Sequence, residues 1–487
     1  MKKPFYITTT LPYVNAEPHV GFALELIRAD VIARSRALSG HEVFFNTGTD
    51  EHGQKLFEAA AKEGIPVKQY VDRFAAQFRE LAPKLGISPD IHFIRTTDAH
   101  HEKAAQEFWN RVQKNGYIYK KNYKAKYCVG CEVNKTESEL VDGRCPIHPN
   151  RELEIRDEEN YFFKYSEFGD RLLALYDAKK FSVVPEFRLN EMREFIKSGL
   201  EDFSISRLKT KMSWGVPVPN DPDHVMYVWF DALVNYISTL GWPEDGANFE
   251  KFWKNGTPTQ YCGKDNTRFQ SVMWQAMLLA AELPNTHTVV VNGFVTGEGG
   301  LKMSKSLGNV INPFGVVAEY DAVTNSLGNE ALRYFVCREV GSFEDSPFTM
   351  DRFKSTYNTS LANGLGNLVS RVMKMATTNI DGAVDLSEAP AAPAEYAEAL
   401  ERFDIQAAAN AVWKAITDAD QLIQEKAPFK LVKTDKAAGQ AIIADLVARV
   451  FAISKMLEPI MPKTSQNIQA LVLRHKMPEA PLFLRKD

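Results

Sequence analysis

Apolar positions recur along the first third of the chain at two alternating periods. Phe5-Tyr6-Ile7-Thr8-Thr9 is a continuous apolar and β-branched run, which predicts a buried strand. Val20, Leu24, Ile27, Val31 and Leu38 then fall near helical period, and Gly40 is a natural stop. Val43-Phe44-Phe45 predicts a second strand, ending in Thr47-Gly48-Thr49-Asp50-Glu51-His52-Gly53, with helices through Lys62 and from Val67 to Leu85. Ile91-His92-Phe93-Ile94 predicts a third strand ahead of a helix from about His101 to Lys114. Strands alternating with helices predict a parallel, doubly wound α/β sheet of Rossmann type, with ligands at the strands' carboxyl ends.

The alternation breaks from about Gly116 to Pro185, where the chain is rich in lysine and turn residues, so this stretch reads as an insertion. It resumes with Val225-Met226-Tyr227-Val228 leading into Trp229 to Tyr236, Gln260-Tyr261-Cys262 leading into a helix to Glu282, and Thr288-Val289-Val290-Val291. Beyond Pro347 long helical patterns take over: Phe353 to Met375, Tyr396 to Lys426, Ala437 to Met456 and Lys463 to Val472. The Ala/Pro-rich stretch 388–393 reads as a loop between them. The expected domains are 1–115 and 186–346 as two halves of one catalytic sheet, 116–185 as the insertion, and 347–487 as an all-α bundle.

Composition narrows this picture. A chain of 487 residues suits roughly three domains. A net charge of −4 excludes a wholesale polyanion binder, so RNA contact must come from local clusters such as Lys120, Lys121, Lys124 and Lys126, or Lys426, Lys430, Lys433 and Lys436. Met1-Lys2-Lys3-Pro4 leads into a strand rather than an apolar signal core, and no apolar run reads as long enough for a bilayer, so a cytoplasmic protein without membrane contact is expected. Five cysteines are too few for a disulfide framework. Three of them cluster: Cys128-Val129-Gly130-Cys131 and Cys145-Pro146-Ile147-His148 form two ligand hooks, which predict one tetrahedral, structural Zn²⁺. Cys262 and Cys337 are expected to be buried and reduced.

Two segments carry candidate chemistry. Leu301-Lys302-Met303-Ser304-Lys305-Ser306-Leu307-Gly308 packs two lysines and two hydroxyls into a glycine-flanked loop after a strand, which suits a polyphosphate; a solvated basic loop is the plain alternative. His19-Val20-Gly21-Phe22 sits where a strand hands over to a helix, whose first N–H groups form an anion site, with capping or core packing as the plain alternative. In this order the two segments resemble the two signature motifs of the class I aminoacyl-tRNA synthetases. The zinc hooks, the helical tail and the segments below narrow the resemblance to the methionyl-tRNA synthetases, over nearly the whole chain.

The resemblance implies activation of L-methionine with ATP and Mg²⁺, then transfer to the 3′ end of methionine tRNA, by a monomer. It implies ATP-site roles for His19, Gly21, Asp265, Lys302, Ser304 and Lys305, with His19, Lys302 and Lys305 stabilising charge in the transition state. Phe22 replaces the family's second motif histidine. Asp50 matches the ligand for the substrate ammonium; Leu11, Tyr13, Trp229, Ala232 and Tyr236 match the methionine pocket, and Trp274 is expected to join Trp229 and Tyr236 in its contacting wall; His52 flanks it, and Arg207 is a further candidate for the phosphates, with a structural arginine as the equal alternative. Asn266 and Gln270 stand where the family commonly has an isoleucine and a histidine, and their amides are expected to bond each other or nearby backbone behind the pocket wall. Asn363, Asn367 and Arg371, spaced to share one helix face, and Phe429 match anticodon-reading positions. Alternatives are another class I synthetase such as the cysteinyl enzyme, a nucleotidyltransferase of the same superfamily, or a catalytically silent zinc- and RNA-binding protein.

Overall fold

The structure, a computed structural model, describes all residues except 1, 136–138, 302 and 304–309. Contacts divide it into two units, Met1–Glu17, Gly40–Glu80 and Asp90–Val291 against Pro18–Ser39, Leu81–Pro89 and Asn292–Asp487.

A six-stranded sheet organises the first unit. Phe5–Thr9 lies inside it, paired in parallel with Val43–Thr49 on one side and Thr257–Gly263 on the other, so Ile7 sits between Phe45 and Thr259. All five of its residues are buried, which is why the run is apolar and β-branched rather than alternating with charged positions. His92–Arg95 extends the sheet beyond Val43–Thr49, while Thr288–Asn292 and then Ser182–Val184 extend it beyond Thr257–Gly263. The sheet is parallel and doubly wound in the sense its sequence predicts.

Two local departures have a common cause. The strand Ser182–Val184 lies in the stretch read as insertion, and the run at Val225 does not join the sheet. Instead His224–Met226 pairs antiparallel with Ser206–Leu208, and a helix starts at Val228. Runs of three or four apolar residues fit a central strand, a ribbon or a core turn equally well, so periodicity cannot assign them. The insertion is a long antiparallel pair, Ile118–Cys128 with Glu154–Phe163, flanked by Val133–Lys135 and Phe203–Ser204. Its strands start at the aromatic core, where Phe163 meets Phe168, Phe203 and Phe230, and Trp109 meets Phe230 and Tyr161.

In the second unit the helix Val20–Leu38 carries charge on its buried side. Arg28 is fully buried and donates to the carbonyls of Val336, Val340, Gly341 and Ser342, the end of a π-helical turn at Phe335–Glu339. Two residues on, Asp30 meets Arg34 at 2.8 Å and buried Arg333 at 2.7 Å. Burial alone would raise the Asp30 pKa, but the two guanidiniums outweigh it and hold the carboxyl below its usual range.

The bundle follows the expected helices with two corrections. The pattern from Tyr396 to Lys426 breaks into Ala394–Glu401 and Ile405–Lys426, because Phe403 takes φ 62° and the Asp404 side chain caps the second helix at Ala407 N–H. The helix Lys436–Leu457 is long and apolar enough to cross a membrane, contrary to the compositional reading. Its Ile443, Leu446, Val447, Val450, Ile453 and Leu457 are buried in the bundle. Cys262 and Cys337 are buried and, among the described residues, in no disulfide, as expected, and burial pushes Cys337 up to about 11.

Close pairing of Gly48 with Ile94 gives the first test. A Cβ at Gly48 would lie 1.9 Å from the Ile94 carbonyl oxygen, which is backbone and cannot yield cheaply. Gly48→Ala is expected to destabilise the fold by about 3 kcal/mol, read as a clear fall in the thermal midpoint; an unchanged midpoint contradicts the register.

Candidate active site and metal centre

The carboxyl end of Val43–Thr49 runs into three consecutive ionisable residues with different surroundings. Glu51 is fully buried and bound on both oxygens: Arg95 donates to them at 2.6 and 2.7 Å, Thr49 and Thr97 hydroxyls at 2.6 Å each. His52 Nδ1 meets Asp231 Oδ2 at 2.6 Å; the other Asp231 oxygen meets His101 Nε2 at 2.8 Å, and His101 Nδ1 meets the Ser238 hydroxyl at 2.9 Å. Burial would lower the His52 pKa, but Asp231 more than offsets it and the net shift is upward. Burial would raise Asp231, and the two histidines reverse that.

Asp50, between them, differs. Its backbone is fixed, with the N–H donating to the Pro12 carbonyl at 2.9 Å and its carbonyl accepting from Val14 N–H at 3.3 Å. Its side chain is buried, and Oδ1 has no hydrogen-bond partner among the described residues. Burial first, then the charges of Asp231 and Glu132, push its pKa well above the ordinary carboxylate range; the His52 N–H opposes this without reversing it. A buried carboxylate with an open oxygen is matched by a cation that donates hydrogen bonds.

Aromatic and apolar residues converge on the same elements. Leu11 and Ala232 are buried, and Tyr13 forms a bridge with Asp50. Trp229, two residues before Asp231, stacks on Phe269 with 3.7 Å between ring centres and 4° between planes. Tyr236 meets the edge of Trp274 at 5.9 Å, and Trp274 lies wholly inside the core against Phe108 and Trp253. Arg207, offered as a phosphate ligand, is buried between the Tyr127 and Tyr227 rings and donates to the Ser204 hydroxyl and the Ser206 carbonyl, a structural use of its charge.

Gln270 and Asn266 correct the expectation that they pair with each other or with backbone. Asn266 donates to Asp265 at 3.3 Å. Gln270 belongs to a buried chain whose polarity starts at backbone. Thr286 N–H donates to Gln275 Oε1, so the Gln275 amide nitrogen faces the Gln270 carbonyl and the Thr286 hydroxyl. The Thr286 hydroxyl therefore donates to Gln260 Oε1 at 2.7 Å, Gln260 donates to Gln270 Oε1 at 3.3 Å, and Gln270 donates to the Thr10 hydroxyl at 2.9 Å. The amides are satisfied by side chains from distant elements, which helical spacing could not reveal.

The cysteine hooks close on each other. Ligand atoms of Cys128, Cys131, Cys145 and His148 all lie within 4.8 Å of one another, with Cys131 Sγ 3.4 Å from Cys145 Sγ and 3.3 Å from His148 Nδ1. Edges of about 3.8 Å are what four bonds of about 2.3 Å to one tetrahedral ion require. Burial, then the neighbouring thiols, push Cys131 up to about 12, while at Cys145 burial is outweighed by hydrogen bonds from the His148 backbone and from Cys131 that hold it below its usual value, so it is ionising Cys131 beside Cys145 that calls for a cation. Gly130 makes the approach possible: a Cβ there would lie 2.4 to 2.6 Å from the His148 ring. The four residues fit a metal ion.

Similarity to known proteins agrees with this geometry. The family model for class I tRNA synthetases (M) matches residues 5–152 and 136–373. The methionine–tRNA ligase of Thermosynechococcus vestitus is 41% identical over 485 residues, covering 96% of this chain and 90% of that protein. That of Caldanaerobacter subterraneus subsp. tengcongensis is 39% identical over 483 residues, covering 96% and 74%. The chain belongs to the methionyl-tRNA synthetase family. Mycobacterium tuberculosis methionyl-tRNA synthetase in complex with methionyl-adenylate superposes with a TM-score of 0.87 at 34% identity, covering 99% of this chain and all of that one. The cysteinyl, nucleotidyltransferase and silent-protein alternatives fall with this membership.

The methionyl-tRNA synthetase motifs are placed unevenly. His19 caps the helix Val20–Leu38, its Nδ1 accepting from Gly21 N–H at 3.1 Å while its ring lies 4.3 Å from Phe22. A Cβ at Gly21 would come within 2.8 Å of the His19 ring, so this cap needs glycine there. Lys302, Ser304 and Lys305 lie outside the described residues. Asp265 is exposed, in a 3-10 turn at the carboxyl end of Thr257–Gly263. In the bundle Asn363 and Asn367 are exposed, Arg371 pairs with Asp420 at 3.0 Å, and Phe429 is exposed beside Lys430. Asp231, His101, Glu132 and Gln260 escaped sequence reasoning, because each acts through a partner distant in sequence.

For the metal centre the expected result is about one tightly held ion per chain, with Gly130→Ala well below that on metal analysis of unchelated protein. Full loading of the variant would contradict the ring contact.

Proposed function

We propose that the chain is a methionine–tRNA ligase, forming methionyl-adenylate from L-methionine and ATP and passing the methionyl group to the 3′ end of methionine tRNA. The observation that carries this reading is the open, buried Asp50 oxygen, with Tyr13 bridged to Asp50 and the run that holds Trp229, Ala232 and Tyr236 bringing the Asp231 charge to bear on it; Leu11 is buried next to the Pro12 carbonyl that fixes the Asp50 backbone. A carboxylate there pairs with the substrate ammonium, and aromatic walls suit a thioether. Trp274, in edge contact with Tyr236, completes that wall. The substrate carboxylate is already ionised near neutral pH, so its attack on the α-phosphorus needs no general base.

Charge then decides the rate. As pyrophosphate departs, Lys302 and Lys305 stabilise the growing negative charge. His19 and Gly21 present the start of a helix to the phosphates, Ser304 adds a hydroxyl, and Asp265 accepts from the ribose. Mg²⁺ arrives as the counter-ion of ATP. Zn²⁺ is the ion for Cys128, Cys131, Cys145 and His148, since four protein ligands leave no open position for a substrate. Residues 1–115 and 186–346 carry activation, 116–185 carries the zinc knuckle, and 347–487 reads the anticodon through Asn363, Asn367, Arg371 and stacking on Phe429. We place the enzyme in the cytoplasm as a monomer.

Methionine-dependent exchange of pyrophosphate into ATP tests the reaction, and no other amino acid is expected to support it comparably. Lys305→Ala is expected to slow exchange by about 100-fold or more with methionine affinity within about twofold. Wild-type exchange in that variant contradicts its role, and no exchange with methionine in the native protein contradicts the substrate.

A further inference from the structure

Glu132 follows the metal-ligating Cys131 directly, yet its side chain is used at the amino-acid site. The carboxylate is buried, and Oε1 accepts from the Tyr13 hydroxyl at 2.9 Å and from Lys55 N–H at 3.0 Å, in the first turn of the helix Gln54–Glu63. Its backbone takes φ 52°, a left-handed conformation unusual for glutamate. The preceding turn closes with Cys131 N–H donating to the Cys128 carbonyl at 3.2 Å. The three elements meet tightly: a Cβ at Gly53 would lie 2.5 Å from the Tyr13 hydroxyl and 3.0 Å from Glu132 Oε1. Lys55 Nζ lies 5.5 Å from the centre of the Tyr13 ring.

From this juxtaposition we infer that Glu132 is a positioning residue: the metal-ligating turn sets its backbone, and its carboxylate holds Tyr13 in place at the methionine pocket. The knuckle and the pocket then share one hydrogen bond, so loosening the turn frees the Tyr13 hydroxyl and weakens methionine binding. The inference rests on the methionine reading above and extends it, since it makes the amino-acid site depend on a residue of the metal loop that touches neither metal nor substrate.

Methionine affinity measured by equilibrium dialysis without ATP, alongside metal content and thermal midpoint, tests it. Glu132→Ala is expected to bind methionine about tenfold more weakly while keeping its metal, and Glu132→Gln, which keeps an acceptor oxygen, to stay within about twofold of wild type. Stripping the metal with a chelator is expected to weaken wild-type binding about tenfold and to add nothing further in Glu132→Ala. The inference is overturned if Glu132→Ala binds like wild type or loses its metal, if Glu132→Gln is as weak as Glu132→Ala, or if chelation weakens both proteins equally. Wild-type protein that binds no methionine overturns the substrate reading and takes the inference with it. Wild-type protein that binds methionine while Glu132→Ala is unaffected overturns the inference alone.

Discussion

A carboxylate held out of water with one oxygen unpartnered costs free energy in the unliganded protein, and the surroundings of Asp50 keep it in that condition. The strand end and the Pro12 and Val14 hydrogen bonds fix its backbone. Glu51 is neutralised by Arg95, and Asp231 is flanked by His52 and His101, so neither Arg95 nor the histidines are spent on Asp50. A ligand bringing a positive charge relieves a cost already present, and the relief goes into binding.

Beside Asp50, His52 and Asp231 each favour the other's charged form. Asp231 is depressed below its ordinary value of 3.8, so its contribution to stability is present above that value and lost as pH falls through its folded pKa. His52 is raised above 6.5, so its contribution is full below that value and fades as pH rises through its folded pKa. Asp50 has the opposite sign to Asp231. A raised folded pKa means the folded chain takes up a proton more readily than the unfolded one, so its ionised form opposes folding. Of these three neighbouring groups, Asp50 is the one whose ionisation opposes folding.

Sequence made the sheet legible because Phe5–Thr9 and Thr288–Asn292 are long, continuously apolar runs in the middle of a parallel sheet. The helix Val20–Leu38 was legible from its spacing, and the metal cluster from two short spacings that close one shell. Contacts that join distant segments were not legible. Nothing in the spacing of Arg28 and Asp30 marks them, yet Arg28 is buried on carbonyls, and Asp30 on the Arg333 guanidinium, more than three hundred residues away. Asp231 lies inside an aromatic run that reads as pocket wall, and its bonds to His52 and His101 cross between elements. Gln270 likewise takes its partners from Thr10 and Gln260, which no helical period connects.

On the function proposed above, Asp50 waits as a buried, proton-attracting carboxylate for the ammonium of methionine. Isothermal titration of methionine in buffers of different ionisation enthalpy, repeated from neutral pH toward acid, measures this directly. The account predicts that affinity falls as pH falls, that binding releases a proton in the same range, and that Asp50→Asn removes both effects along with most of the affinity. Proton-free binding of unchanged affinity across that range, or methionine binding by Asp50→Asn as tight as wild type, would contradict it.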